Sequence, residues 1–127
     1  VYEGVALAIR HILSLCEGAT GQPAQEIRVT GGGSLSSFWN QVKADVTGRP
    51  VVSLEVARAA SLGAAMLAAV GLGLHPDHRT AAAAMVHRRA VYDPDPALRT
   101  LYDDLFVTYL GLYPALRPWF WRLAGNE

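Results

Sequence analysis

Residues 27–46 read IRVTGGGSLSSFWNQVKADV, and this stretch decides the fold of the chain. Its first four residues, Ile27–Thr30, alternate in polarity and are rich in β-branched side chains, which predicts a short strand. Gly31–Gly33, the glycine turn, breaks the strand, and the serine-rich residues 34–37 supply helix caps. An apolar stripe at helical spacing then predicts a helix that ends at Gly48. The stretch therefore predicts a strand, a glycine turn and a helix in succession.

The glycine turn places together the groups that phosphate binding requires. The N-terminus of a helix combines unpaired N–H groups with the positive end of the helix dipole, and glycine lets the backbone approach a ligand closely. The hydroxyl groups of Ser34 and Ser36 are candidate additional donors. A glycine-rich turn also arises simply because a strand must turn into a helix, so the spacing leaves both a phosphate site and a structural turn open. A P-loop is excluded, because Ser34-Leu35 follows Gly33 where that motif needs Lys and then Ser or Thr.

A dinucleotide-binding βαβ unit of the NAD type is an alternative on spacing alone. The segment Gly31–Ser36 lacks the third glycine of that fingerprint, which permits tight packing of helix on strand. Glu55, however, lies about 20 residues further on, at the end of a second predicted strand, where an acidic residue binds ribose. A noncatalytic packing or oligomerisation domain, in which the glycines merely turn the chain, is a further alternative.

The flanking sequence predicts helices and one further strand. Apolar residues at helical spacing predict a first helix that ends at the turn Gly18–Pro23, and Val51–Leu54 is the second predicted strand. An Ala-rich helix is expected from Glu55 or Ala57 to about Val70, and its small residues predict close packing on a neighbouring element. The order strand–helix–strand–helix predicts a right-handed parallel βαβ crossover. Because two strands do not make a stable sheet, further strands are expected from outside these residues.

The second half of the chain is predicted to be helical. Asp77 is expected to cap a short helix through Ala81–Val86, and a long amphipathic helix is expected over Ala97–Tyr113, where Pro114 interrupts it. Four aliphatic residues are expected on its inward face: Leu101, Leu105, Val107 and Leu112. The apolar tail Trp119–Trp121 is a candidate contact with a missing lobe or another subunit.

Composition restricts the class of protein. The chain is 51% hydrophobic and 17% charged, with eleven basic and eleven acidic residues, so neither disorder nor binding to nucleic acid or an anionic membrane is predicted. The single cysteine, Cys16, lies in an apolar helical pattern and is predicted to be buried. No apolar stretch reaches the roughly 18 residues of a membrane span. The four histidines share no metal-ligand spacing, so no metal site is predicted.

Several features follow the glycine turn in a defined order: Gln41, Ala44-Asp45, the run Gly48–Val51, Glu55 and the small-residue helix with Leu62–Ala65. This ordered set resembles the C-terminal domain of the FGGY family of carbohydrate kinases, and xylulokinase-like members most closely. The opening residues Val1–Ala6 resemble the end of a family signature, and Tyr109–Pro118 resembles the closing helix. The resemblance covers nearly the whole chain, and with the helical start at Val1 it predicts a fragment of a longer enzyme.

The resemblance implies an α/β fold: a partial C-terminal lobe of the ribonuclease H-like, actin-like ATPase superfamily, helix-rich with a short parallel βαβ core. It implies that residues 1–127 are the nucleotide-binding domain of a cytoplasmic kinase that transfers the γ-phosphoryl group of ATP to a sugar hydroxyl, with xylulose as the expected sugar. Gly31, Gly32 and Gly33 match the nucleotide-contacting turn, and Ser36 stands where some members carry an Asn near the nucleotide.

The remaining machinery is implied to lie outside the chain. The catalytic Asp belongs to a segment upstream of Val1, so no catalytic residue is expected here and the fragment alone is predicted to be inactive. ATP and Mg²⁺ are the implied cofactors, with Mg²⁺ bound mainly through residues outside the fragment. The implied partners are the nucleotide and, through the missing N-terminal lobe, the sugar; a homodimer is a further candidate.

Overall fold

The computed structural model describes residues 1–125 and contains five α-helices and three strands in that range. The helices are α1 (Tyr2–Thr20), α2 (Ser37–Thr47), α3 (Ala59–Gly71), α4 (His78–Met85) and α5 (Arg99–Leu123), and the strands are β1 (Ile27–Val29), β2 (Val51–Leu54) and β3 (Arg88–Tyr92). Two 3₁₀ helices, Gly32–Leu35 and Pro96–Leu98, precede α2 and α5. The strand, glycine turn and helix predicted within residues 27–46 are confirmed, and so is the helix end at Gly48, which adopts a left-handed conformation.

The strands form a mixed sheet in the order β1–β2–β3. β1 and β2 are parallel, with Ile27 opposite Val51, and α2 connects them as predicted. β3 runs antiparallel to β2, with Tyr92 opposite Val51. β3 was not predicted from the sequence, and further strands were expected only from outside these residues. The strand begins with two exposed arginines and buries none of its residues, so it lacks the apolar alternation by which strands are recognised.

β2 is buried along its whole length, and a separate apolar cluster lies where α1, α2 and α5 meet. Four buried residues form one cluster: Ala6, Leu7, Val46 and Tyr102. Arg10 on α1 ties the three helices together, because its guanidinium donates to the carbonyl oxygens of Val46 (3.2 Å) and Tyr102 (3.0 Å) and pairs with the Asp103 carboxylate. These contacts hold the last turn of α2 against α1 and α5.

α5 differs from its prediction in length and in the face that it buries. The helix continues through Pro114 and Pro118, and every residue from Leu110 to its end is exposed, so solvent can hydrate the carbonyl groups that the prolines leave unpaired. Its core-facing residues are aromatic: Tyr102, Phe106 and Tyr109. The four aliphatic residues expected to point inward are all exposed: Leu101, Leu105, Val107 and Leu112. Both faces are apolar in sequence, and the aromatic one, which has more area to bury, packs on the core.

Two other predictions of burial are wrong. Cys16 is exposed, because α1 buries only Ala6 and Leu7, near its beginning. The Ala-rich α3 contacts α4, yet it buries none of its residues, and a Cβ at Gly63 would have no neighbouring atom within 4 Å. Apolar and small-residue spacing indicated where a helix would form, but not which neighbour would cover it. None of the helices within residues 1–125 is long and apolar enough to cross a membrane.

Candidate functional site

The glycine turn lies at the carboxyl end of β1, and its first position requires glycine. Gly31 has φ 82° and ψ −179°, a conformation that residues with a Cβ adopt only under strain. Its amide donates to the carbonyl oxygen of Ala57 (2.7 Å). Its own carbonyl oxygen accepts from the amide (3.1 Å) and the hydroxyl group (2.7 Å) of Ser34. Because the carbonyl and N–H groups of a trans peptide point in opposite directions, the Gly32 N–H points away from Ser34.

Gly32 and Gly33 leave open space in front of the turn. Both residues are exposed, and within the described part of the chain neither amide donates a hydrogen bond. A Cβ at Gly32 would meet no atom within 4 Å, and one at Gly33 would lie 3.6 Å from Trp39 Cδ1, an ordinary van der Waals contact. The packing of the chain itself therefore does not require glycine at these two positions. Their N–H groups are available to an anionic ligand that approaches the start of the 3₁₀ helix.

The two serines predicted as extra donors have different roles. Ser34 is buried, and its hydroxyl group donates to the Gly31 carbonyl oxygen, so it stabilises the turn and does not face a ligand. Ser36 is exposed and is the N-cap of α2, where its Oγ accepts a hydrogen bond from the Trp39 amide (3.2 Å). This confirms that the serine cluster supplies a helix cap. Among residues 1–125 the Ser36 O–H has no acceptor, so it can donate to a ligand.

A buried polar pair, which was not predicted from the sequence, lies behind the turn. Asn40 Nδ2 donates to the Ser34 carbonyl oxygen (2.8 Å), and Lys43 Nζ donates to Asn40 Oδ1 (3.0 Å). Lys43 Nζ also lies 4.9 Å from the centroid of a Trp39 ring. Burial lowers the pKa of the Lys43 ammonium group. The position of Lys43 in the sequence could have indicated its burial. It is the only lysine, and it lies four residues after Trp39 and three before Val46, within the apolar stripe of α2.

Gln41 and Asp45 do not contact the glycine turn. Gln41 Nε2 donates to the carbonyl oxygen of Asp93 and to Asp45 Oδ1, both at 2.8 Å. Asp45 Oδ1 also accepts from the Asp95 amide (2.9 Å). These side chains fasten α2 to the segment that precedes α5. Asp45 therefore has a structural hydrogen-bonding role.

The other acidic candidates lie in exposed positions. Glu55 follows β2 at the same sheet edge as the glycine turn and is exposed, while α3 begins only at Ala59, with Arg58 as its N-cap. Asp77 caps α4 as predicted: its Oδ1 accepts from the Thr80 amide (2.7 Å), and this hydrogen bond lowers the pKa of the carboxyl group. Within residues 1–125 no three His, Cys, Asp or Glu side chains are grouped so that they could hold a metal ion.

Comparison with known proteins identifies the family. Residues 1–72, more than half of the chain, match the C-terminal domain of the FGGY family of carbohydrate kinases. The chain belongs to this family, as its resemblance predicted. It is 36% identical over 105 residues to the uncharacterized sugar kinase YgcE of Escherichia coli (strain K12), a match that covers 83% of this chain and 21% of the relative. It is 33% identical over 94 residues to an autoinducer-2 kinase of Enterobacter sp. (strain 638), a match that covers 74% of this chain and 18% of that relative.

The solved structures agree with this assignment. The crystal structure of xylulose kinase from Rhodospirillum rubrum superimposes with a TM-score of 0.77 and 34% identity, covering 94% of this chain and 24% of that one. FGGY kinases have the actin-like ATPase fold, so the predicted fold class is confirmed. The family match favours a kinase over the dinucleotide-binding and packing alternatives. The chain spans about a fifth of the length of the curated relatives, 18% and 21% of the two compared.

Proposed function

We propose that residues 1–127 are the C-terminal nucleotide-binding domain of a longer kinase, which transfers the γ-phosphoryl group of ATP to a sugar hydroxyl group. Family membership supports the class of reaction. One observation supports the placement of the nucleotide: Gly32 and Gly33 present exposed amides that find no acceptor among residues 1–125, next to Gly31, whose backbone conformation favours glycine.

In the proposed site, the backbone of Gly31, Gly32 and Gly33 contacts the phosphate groups of ATP. Ser36, the exposed N-cap of α2, follows the glycine turn, and its O–H donates to an oxygen atom of the nucleotide. Phosphoryl transfer depends on positioning and on electrostatic stabilisation of the transferred group. The backbone amides supply binding and orientation, because they are held in place before ATP arrives.

The chemical step needs groups that this proposal places outside the chain. Mg²⁺ neutralises charge on the phosphate oxygens when it is bound, and it is held mainly by residues beyond 1–127. The base that takes the proton from the sugar hydroxyl also lies in another part of the kinase. We therefore expect the isolated chain to be catalytically inactive.

Xylulose is the proposed sugar. Support comes from the structure of the Rhodospirillum rubrum xylulose kinase, whose superposition covers 94% of this chain. The Enterobacter relative is an autoinducer-2 kinase, so relatives of similar identity differ in the substrate for which they are named. A panel of substrates is therefore needed to test this part of the proposal.

The test uses the full-length protein with ATP, Mg²⁺ and separate sugars, and it measures ADP release in a coupled assay. We expect sugar-dependent ADP release with the highest kcat/KM for xylulose among xylulose, ribulose and gluconate. No sugar-dependent release with any of these substrates would refute the proposed kinase reaction with this sugar class. A higher kcat/KM for another sugar would refute the xylulose assignment alone.

The isolated chain gives a second test. A pure preparation of residues 1–127 is expected not to phosphorylate xylulose, and activity in that preparation would refute the placement of the base outside it. Titration of the full-length protein with ATP, ADP and NAD by calorimetry distinguishes the alternatives, because binding of NAD alone would support a dinucleotide site at the glycine turn.

A further inference from the structure

Behind the glycine turn, three buried polar residues form a continuous chain of hydrogen bonds. Ser34, Asn40 and Lys43 are only 4%, 0% and 6% exposed. Lys43 Nζ donates to Asn40 Oδ1 (3.0 Å), and Asn40 Nδ2 donates to the Ser34 carbonyl oxygen (2.8 Å). Ser34 Oγ then donates to the carbonyl oxygen of Gly31 (2.7 Å). The contacts therefore extend from the middle of α2 to the first residue of the glycine turn.

The chemistry of the donors and acceptors fixes the direction of these hydrogen bonds. A lysine ammonium group donates hydrogen bonds and cannot accept them, so it requires the oxygen atom of the Asn40 amide. The Asn40 NH₂ group must then point to the Ser34 carbonyl oxygen. This contact fixes the end of the 3₁₀ helix, while the Ser34 hydroxyl fixes its beginning at Gly31. The peptide planes between them, which carry the Gly32 and Gly33 amides, are held from both sides.

Stability does not explain why this position carries a lysine. Burying an ammonium group costs free energy unless it is paired, and no carboxylate lies within 4.0 Å of Lys43 Nζ among residues 1–125. Its compensation consists of the Asn40 oxygen and the Trp39 ring, whose centroid is 4.9 Å away. An apolar side chain of the same volume avoids that cost. The lysine therefore points to a requirement other than packing.

We propose that Asn40 and Lys43 are positioning residues that hold the peptide planes of the glycine turn with the Gly32 and Gly33 amides directed at the phosphates of ATP. Lys43 orients the Asn40 amide, and Asn40 anchors the turn through Ser34. Neither side chain contacts the nucleotide. This inference rests on the proposed nucleotide site at the glycine turn.

The test compares two variants in the full-length kinase. Asn40→Asp keeps the size of the side chain and the acceptor for Lys43, but it places a carboxylate oxygen against the Ser34 carbonyl oxygen. Lys43→Met keeps the approximate volume and removes the donor and the charge. We expect Asn40→Asp to raise the KM for ATP about tenfold, which corresponds to about 1.4 kcal/mol. We expect Lys43→Met to raise it about threefold, while the KM for the sugar and kcat of both variants stay within about twofold of wild type.

Gln41→Leu is the matched control. It also removes an α2 amide that donates to a backbone carbonyl oxygen (2.8 Å), but this oxygen belongs to Asp93 and not to the turn. Its melting temperature is expected to fall while the KM for ATP stays within about twofold of wild type.

Two results would overturn the inference: an unchanged KM for ATP in both test variants, or an equal rise in KM for ATP in Gln41→Leu. If Asn40→Asp does not fold, Lys43→Met decides, since it places an apolar side chain in a buried position. A wild-type enzyme with no sugar-dependent use of ATP would refute the proposed function itself, an outcome seen before any variant is measured.

Discussion

Gly31→Ala is expected to destabilise the protein through backbone strain alone. At φ 82° and ψ −179° Gly31 occupies a region that is almost exclusive to glycine, and a side chain there costs about 1–3 kcal/mol. A clash with other parts of the fold adds nothing, because no atom beyond the adjacent residues lies within 4 Å of the position that the new Cβ would take. The only relief is a change of φ, which breaks the 2.7 Å hydrogen bond from the Gly31 amide to the Ala57 carbonyl oxygen.

Gly32→Ala is the matched control, since its Cβ also meets no atom within 4 Å but its φ is not positive. We expect its free energy of unfolding to stay unchanged or to rise by about 0.4–1 kcal/mol, because alanine restricts the unfolded chain. If ATP approaches the turn closely, the same methyl group raises the KM for ATP. One variant therefore changes stability, and its neighbour changes nucleotide affinity.

The assays are thermal unfolding of the full-length protein without nucleotide and steady-state kinetics at saturating sugar. A loss of about 2 kcal/mol lowers the melting temperature by about 4–8 °C for a domain of roughly 150–250 residues. A Gly31→Ala protein as stable as wild type would refute the claim that this conformation is imposed by the fold. A Gly32→Ala protein with the wild-type KM for ATP would refute close approach of the nucleotide at that residue.

Three other experiments test the scaffold. Burial and, secondarily, the hydrogen bond to Glu3 (3.0 Å) raise the pKa of Tyr102 to about 12. The contribution of the protonated phenol to stability is therefore complete below pH 10 and is lost as the pH rises through about 12. Tyr102→Phe should lack this alkaline loss of stability in urea unfolding, and the same dependence of stability on pH in variant and wild type would contradict it. Asp77→Ala should increase amide exchange in α4 at pH 7. The difference from wild type should shrink as the pH falls through the lowered pKa of Asp77, and a difference that does not shrink with falling pH would argue against the cap. Arg10→Met should lose about 2–3 kcal/mol in urea unfolding, because it removes the donor to the Val46 carbonyl oxygen, which lies in the last turn of α2, and the partly buried pair with Asp103. Arg99→Met removes only an exposed ion pair and should lose less than about 1 kcal/mol; equal losses would refute the role of Arg10.

Local chemistry made residues 27–54 predictable. Glycines in succession, a serine at the N-cap and Gly48 at the helix end act on their own neighbours, so the strand, turn and α2 follow from short stretches of sequence. The parallel pairing of β1 with β2 follows from the helix between them. Gly31, Gly32 and Gly33 could be predicted to lie at the end of a strand because they directly follow the strand in sequence.

Features that depend on distant partners were not predictable in the same way. β3 forms because β2 offers it an edge, although its own residues are polar or half-exposed. The choice of face in α5 depends on what α1 and α2 present to it, and the burial of Lys43 depends on Asn40, Ser34 and Trp39 together. Periodicity identifies which residues share a face, but it does not decide between two apolar faces of one helix.

Arg10 has a consequence for the order of folding during synthesis. Its bond to the Tyr102 carbonyl oxygen joins residues 92 positions apart, and the cluster around it takes residues from α1 and α5, at opposite ends of the described chain. A ribosome adds about 5–20 residues per second, so roughly 5–20 s pass between the synthesis of Arg10 and that of its partner. During that interval the apolar side of α1 has no α5 to cover it. The nascent helix is therefore a surface that chaperones can bind until α5 emerges and closes the core.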